Sequence, residues 1–126
     1  MGLLNILVGK DRATDRGHLL ENVVFFELLR RGNKIWTGTS RNSEVDFVCK
    51  TPTVDIEYYQ VAWQMINEDT IEREFTALEK IKDNYPKSLL TTDSFTQDRN
   101  GVKHLNVFNW LLNDLCYFVC FQLKLA

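Results

Sequence analysis

Three segments with strand periodicity follow one another in the first half of the chain, with an amphipathic helical pattern before and after them. The segments are residues 34–38, 44–50 and 56–63, and short polar turns separate them. Alternating apolar and polar side chains, together with many β-branched and aromatic residues, are typical of strands packed on a core. Because connections this short join antiparallel neighbours, the sequence predicts a meander of three antiparallel strands.

A helix is predicted on each side of this meander. Residues 16–31 place apolar side chains three and four positions apart, and Gly32 follows as the expected left-handed stop. The second helix is predicted to start near Asp69, with Glu72 completing a capping box.

The sequence after the second helix predicts a further strand that pairs parallel with the sheet. Residues 88–92 form a short apolar strand that follows a helical crossover, which favours parallel pairing with an earlier strand. Residues 95–107, around the turn signal Asn100-Gly101, predict a loose hairpin, and residues 108–113 a short helix. The predicted fold class is therefore α/β (α+β), with a mixed central sheet and helices on both faces.

Composition limits the class of protein. With 126 residues, 44% of them hydrophobic and 25% charged, the chain suits one globular domain that needs no disulfide or metal to fold. Three cysteines without a CxxC pair predict reduced thiols and a cytoplasmic location. A net charge of -2 argues against a protein that coats nucleic acid. The sequence contains no run of about 18 apolar residues, so we predict no membrane-spanning segment.

Three acids and one amide stand where a buried side chain would be apolar. Glu21 lies in the apolar stretch of the first helix, Glu44 and Asp46 lie two apart on one strand, and Gln60 lies on the next strand. Converging carboxylates hold Mg²⁺, which can bind a phosphodiester and activate water. The alternative is that these acids form the solvated outer face of an antiparallel strand.

Several short runs, taken in order and spacing, resemble one family. They are residues 17–24 (GHLLENVV), 27–32 (ELLRRG), 44–47 (EVDF), 58–61 (YYQV), 70–74 (TIERE), 81–87 (IKDNYPK) and 110–112 (WLL). Together they resemble the C-terminal domain of a large group of prokaryotic P-loop (AAA-type) ATPases. The resemblance divides the chain into a lead-in segment (1–16), a nuclease-like domain (17–112) and an apolar C-terminal tail (113–126).

The resemblance implies a restriction-endonuclease-like core and a P-loop ATPase domain, or another protein, as partner. Full-length members of the family carry an N-terminal nucleotide-binding domain. This sequence has no GxxxxGK[ST] loop, so we expect no ATP hydrolysis from these residues themselves.

The resemblance also implies which residues would form a nuclease site. Glu21 matches the helix acid and Asp46 the strand aspartate, whereas the acid-x-Lys pair of such nucleases falls on Tyr58 and Gln60. The implied catalytic set is then Glu21, Asp46 and Gln60. Glu44 is not part of the resemblance, but it shares a strand face with Asp46 and could stand in for the missing acid, so that Glu21, Glu44 and Asp46 are the candidate ligands of Mg²⁺. Because Tyr58 is no carboxylate and Gln60 carries no charge, we expect a degenerate site in an interaction or regulatory module, with no required cofactor. A Mg²⁺-dependent DNA nuclease is the alternative.

Two further segments bear on partners. The tail contains the apolar run LCYFVCFQLKLA, which is too short to cross a bilayer. It either covers the core of its own domain or forms a surface for the ATPase domain or for a second copy in a homodimer. A basic cluster of Arg30, Arg31, Lys34 and Arg41 either contacts phosphates of DNA or complements the dipole of the first helix.

Overall fold

One five-stranded sheet organises the part of the chain that the structure, a computed structural model, describes: residues 12–37 and 45–113. The elements are, in chain order, α1 (Arg12–Arg30), β1 (Lys34–Thr37), β2 (Phe47–Lys50), β3 (Ile56–Val61), α2 (Glu68–Glu79), β4 (Lys87–Thr91), β5 (Val102–Asn106) and α3 (residues 107–113). The strands lie in the order β1-β2-β3-β4-β5. The pairs β1–β2 and β2–β3 are antiparallel, whereas β3–β4 and β4–β5 are parallel. The predicted mixed sheet, its meander and the parallel fourth strand are confirmed.

Helices cover both faces of the sheet, as predicted. Leu89 and Leu90 are neighbours on β4 and are both fully buried, but they belong to two separate apolar clusters. Leu90 packs with α1 and α3, on what we call the α1 face, and Leu89 packs with α2, on the α2 face. Burial of a leucine side chain contributes about 1.5–3 kcal/mol, so each face is a substantial part of the core.

Helix α1 ends at the predicted stop. Gly32 has φ of 88°, a backbone conformation that side chains with a Cβ rarely adopt. The amides of Gly32 and Asn33 donate to the carbonyls of Leu29 and Leu28, which satisfies the last turn. The helix begins at Arg12, four residues before the predicted start, and it crosses the predicted domain boundary at residue 17.

The second helix begins at Glu68, one residue from the predicted start, but the predicted N-cap is wrong by two residues. Asn67, not Asp69, is the N-cap: its backbone is extended and its side chain accepts a hydrogen bond of 2.8 Å from the Thr70 amide. Asp69 lies in the first turn, where its charge complements the helix dipole. The capping geometry needs an extended residue before the first turn, and Asn67 supplies it.

The predicted hairpin over residues 95–107 is also wrong. The turn at Asn100-Gly101 exists, with φ of 48° and 82°, but a single bridge between Arg99 and Val102 is all the antiparallel pairing it has. The residues after the turn form β5, which pairs parallel with β4 over its whole length. Residues 102–106 therefore pair with the buried strand β4 and not with the residues that precede the turn.

Within residues 12–37 and 45–113, no helix is both long and apolar enough to cross a membrane.

Candidate functional site

The chain bends just before β2, where the candidate strand acids lie. Pairing starts at Phe47, and residues 45 and 46 form a bend. Strict alternation predicts that Val45 shares a face with Phe47 and Cys49. That prediction is wrong, because Val45 packs in the cluster on the α2 face whereas the other two pack on the α1 face. Glu44 lies outside the described residues.

Beyond the Phe47–Tyr59 pair, the side chains of Asp46 and Gln60 take the place of backbone carbonyls in the hydrogen bonding between β2 and β3. Asp46 Oδ2 accepts a hydrogen bond of 2.9 Å from the Val61 amide. In return, Gln60 Oε1 accepts one of 3.0 Å from the Asp46 amide. The Asp46 carboxylate therefore accepts from the Val61 amide at the end of β3, which would otherwise lack a hydrogen-bond partner.

Helix α2 adds a third member that the sequence analysis did not single out. Gln60 Nε2 donates a 2.7 Å hydrogen bond to Glu74 Oε2, and both residues are only 8% exposed. Arg73 Nη2 lies 3.3 Å from the other carboxylate oxygen of Glu74. We call Asp46, Gln60 and Glu74 the carboxylate–amide network. A cavity of about 330 Å³ opens beside it.

One signal in the sequence pointed to Glu74. Its position falls between Ile71 and Leu78 on the apolar stripe of the second helix. An acid among core-facing positions of a helix is the same anomaly that singled out Glu21, and it indicates a buried partner.

Glu21 approaches the network from the other helix. Its side chain on α1 is 36% exposed, and its Oε2 lies 3.7 Å from His18 Nδ1. Burial, with smaller contributions from the negative charges of Glu21 and Glu74, raises the pKa of Asp46 to about 7, against the hydrogen bond from Val61. Glu21 thus acts on Asp46 through its charge, whereas Gln60 contacts Asp46 directly through a hydrogen bond.

The described residues form no complete set of Mg²⁺ ligands, and the set of Glu21, Glu44 and Asp46 stays a prediction because Glu44 lies outside them. Mg²⁺ needs several oxygen ligands in near-octahedral geometry. Within the described ranges, no three His, Cys, Asp or Glu side chains converge closely enough to hold a metal ion. Moreover, Asp46 Oδ2 and Glu74 Oε2 already accept hydrogen bonds from the protein.

Tyr58, which the resemblance aligns with an acid of nucleases, has a structural role. Its hydroxyl donates a 2.7 Å hydrogen bond to Asp83 Oδ2 in the turn before β4. Lys87 is buried beneath this turn, and its Nζ donates to the Asp83 carbonyl, to Asp83 Oδ1 and to the Tyr85 carbonyl at 2.9, 2.9 and 3.0 Å. The IKDNYPK run therefore forms a turn held by a buried lysine.

Replacing Lys87 with methionine is expected to lower the free energy of unfolding by about 2 kcal/mol, since two carbonyls and one carboxylate lose their donor. Chemical denaturation at neutral pH measures the change. Lys82→Met is the matched control, because Lys82 is exposed in the same turn region, and it should change stability by less than about 0.5 kcal/mol. Equal losses in the two variants would contradict this role for Lys87.

Comparison with known proteins gives one relative. No family model matches the chain, and no solved structure matches it. A protein of Haemophilus influenzae, described as uncharacterized, is 38% identical over 112 residues. The aligned region is 88% of this chain but 27% of the relative, so the chain spans about a quarter of the length of the protein it matches.

Proposed function

We propose that this chain is a C-terminal accessory domain of a P-loop ATPase, with a nuclease-like fold and a degenerate site, and that it acts as an interaction or regulatory module. The observation that carries the proposal is the environment of Gln60. It stands where nucleases of the resembled fold carry lysine, and its amide is bound at both ends, by the Asp46 amide and by Glu74. A neutral amide that hydrogen-bonds within the fold at both ends cannot supply the positive charge that lysine gives to an attacking water.

Tyr58, two residues before Gln60, supports the same proposal. A nuclease needs a carboxylate there, and Tyr58 instead donates its hydroxyl to Asp83 in the turn before β4. Both members of the acid-x-Lys pair thus have bonds that stabilise the fold.

The length of the relative supports a larger assembly. Because the match covers 27% of that protein, about three quarters of its chain lies outside the matched segment. We propose that this remainder holds the nucleotide-binding domain that the resemblance implies.

Helix α1 offers a surface for such a partner. Val23, Phe26 and Leu29 are 39%, 67% and 45% exposed on the side of α1 away from the sheet. We call these three residues the α1 stripe. Contiguous exposed apolar residues mark interaction sites more often than isolated ones do. We propose that the stripe contacts the ATPase portion of the larger protein.

The first test is for nuclease activity. The purified chain is incubated with single- and double-stranded DNA in the presence of Mg²⁺ or Mn²⁺, beside the Asp46→Ala variant. We expect no cleavage above that of the variant, because the described residues supply neither the acid nor the cation. Metal-dependent cleavage that Asp46→Ala abolishes would overturn the degenerate site. It would instead support a nuclease that uses Glu21, Asp46 and Glu44.

The second test uses the Haemophilus influenzae relative. We expect the full-length relative to hydrolyse ATP, and removal of the segment matching this chain to change the rate several-fold. The truncated relative should then bind this chain in trans. Phe26→Asp should abolish that binding, whereas Val54→Asp should leave it intact, since Val54 is equally exposed (67%) but lies in the turn between β2 and β3. A relative that neither binds nor hydrolyses ATP would refute the association.

A further inference from the structure

A second cavity lies on the far flank of α2 from the network. It has a volume of about 540 Å³ and is bounded by α2, β5 and the loop of residues 92–101. Met65, Ile71 and Phe75 give it an apolar side, and the loop gives it a polar one. Cavities of about 300–1,000 Å³ with an apolar lining and a few polar groups are typical of small-ligand sites.

The polar wall of this cavity is fixed by a buried histidine. His104 is 5% exposed, and its Nε2 lies 2.8 Å from Thr91 Oγ1. Its Nδ1 accepts a hydrogen bond from the Gln97 amide, and its own amide donates to Asp98 Oδ1. Because Nδ1 is an acceptor, the ring proton lies on Nε2 and the imidazole is neutral, and burial lowers the pKa of His104 accordingly. A wall held at three points is pre-organised for a ligand.

The charge around the cavity is negative. Asp93 and Asp98 contribute carboxylates to the lining. Arg99 also lines it, but Arg99 Nη1 lies 2.6 Å from Glu72 and its Nε 2.8 Å from Glu79, so two acids outweigh that cation. The neutral His104 adds no positive charge. An anion would therefore be repelled.

Aromatic rings complete the lining. The guanidinium of Arg99 lies 5.4 Å from the centre of the Phe75 ring, so this ring already accepts a cation on one of its faces. Phe95 is 82% exposed although it lies in the lining, on a loop that hydrogen bonds hold on both sides. A rotation of the Phe95 side chain alone would place its ring against a bound group, with the loop backbone unchanged.

We propose that this cavity binds an organic cation, an ammonium or guanidinium group carried on an apolar body. The body packs on Met65, Ile71 and Phe75, and the charge lies against Asp93 and Asp98. Such a group comes either from a free amine or from an arginine or lysine side chain of another protein. The proposal uses neither the carboxylate–amide network nor the α1 stripe, so it stands apart from the proposed function.

The test is a titration of the full chain followed by ¹H–¹⁵N NMR. Three probes are used: phenethylammonium chloride, 2-phenylethanol as its neutral counterpart, and N-acetylarginine amide in place of a protein side chain. We expect saturable shifts for a cation at residues 94–98 and His104, with 2-phenylethanol binding at least about tenfold more weakly. Saturation by the free amine alone identifies a small molecule as the source, and saturation by the arginine amide identifies a protein side chain.

Asp98→Asn provides the decisive variant. The asparagine oxygen can still accept from the His104 amide, so the loop should keep its fold, while the affinity for the cation should fall about five- to tenfold. Asp55→Asn, in the turn between β2 and β3 and outside the lining, is the matched control and should leave the affinity unchanged. The absence of saturable shifts with either cation, or equal binding of 2-phenylethanol, would overturn the proposal.

Discussion

Replacing Asp46 with asparagine is expected to stabilise the fold by roughly 2–4 kcal/mol at about pH 8 and to have almost no effect near pH 4. Asparagine keeps an oxygen that can accept from the Val61 amide. It removes the charge that burial, Glu21 and Glu74 all disfavour. Few single substitutions stabilise a protein this much, so the effect would be diagnostic.

The sign of the pH dependence follows from the direction of the pKa shift. The pKa of Asp46 rises from 3.8 to about 7 in the folded protein. The folded state therefore holds a proton that the unfolded state has released over this range. The stability that the protonated carboxyl provides is complete below about pH 4, is lost as the pH rises towards 7, and is absent above 7.

Urea denaturation of both proteins at several pH values measures this difference. Because all other carboxyl groups titrate in both proteins, the gap between the two free energies of unfolding isolates Asp46. A gap that widens from about pH 4 to 7 is the expected result. A destabilised variant with a gap independent of pH would show that the fold uses the ionised form of Asp46.

The second large effect is expected at Gln60. Gln60→Leu should lower the free energy of unfolding by about 3 kcal/mol, because Glu74 stays buried without its amide donor and the Asp46 amide loses its acceptor. The double variant Gln60→Leu/Glu74→Leu should recover about half of this loss, since removing both partners of a buried bond costs less than removing one. Thermal and chemical unfolding of the two single variants and the double variant measure the coupling.

A different result would contradict this coupling between Gln60 and Glu74. If the losses of the two single variants simply add in the double variant, Gln60 and Glu74 do not depend on each other. The hydrogen bond between them would then not be the reason that Gln60 occupies this position.

The fold was predictable because its signals are local and periodic. The strand at residues 56–63 and the helix that stops before Gly32 rest on patterns that neighbouring residues set, and both are confirmed to within four residues at their ends. The hairpin over residues 95–107 failed because its outcome depended on β4, a distant strand whose free edge offered a longer pairing.

The site was less predictable because it depends on contacts between elements. Alternation could not predict the bend at Val45, where the Asp46 side chain, instead of a backbone carbonyl of its own strand, accepts from the Val61 amide of β3. The buried bond of Glu74 required knowledge of the register of α2 on the sheet. The sequence nevertheless singled out Glu21, Asp46 and Gln60, because polar groups at apolar positions need a reason to be there.

Helix α2 has a mechanical consequence, since it carries Glu74 on one flank and Phe75 on the other. Glu74 and Phe75 are consecutive residues of this helix, so a displacement of its backbone would move both side chains. A ligand that displaced α2 at the 540 Å³ cavity would therefore change the hydrogen bond between Gln60 and Glu74. By thermodynamic reciprocity, a proton taken up by Asp46 and a guest beside Phe75 would then influence each other to the same degree.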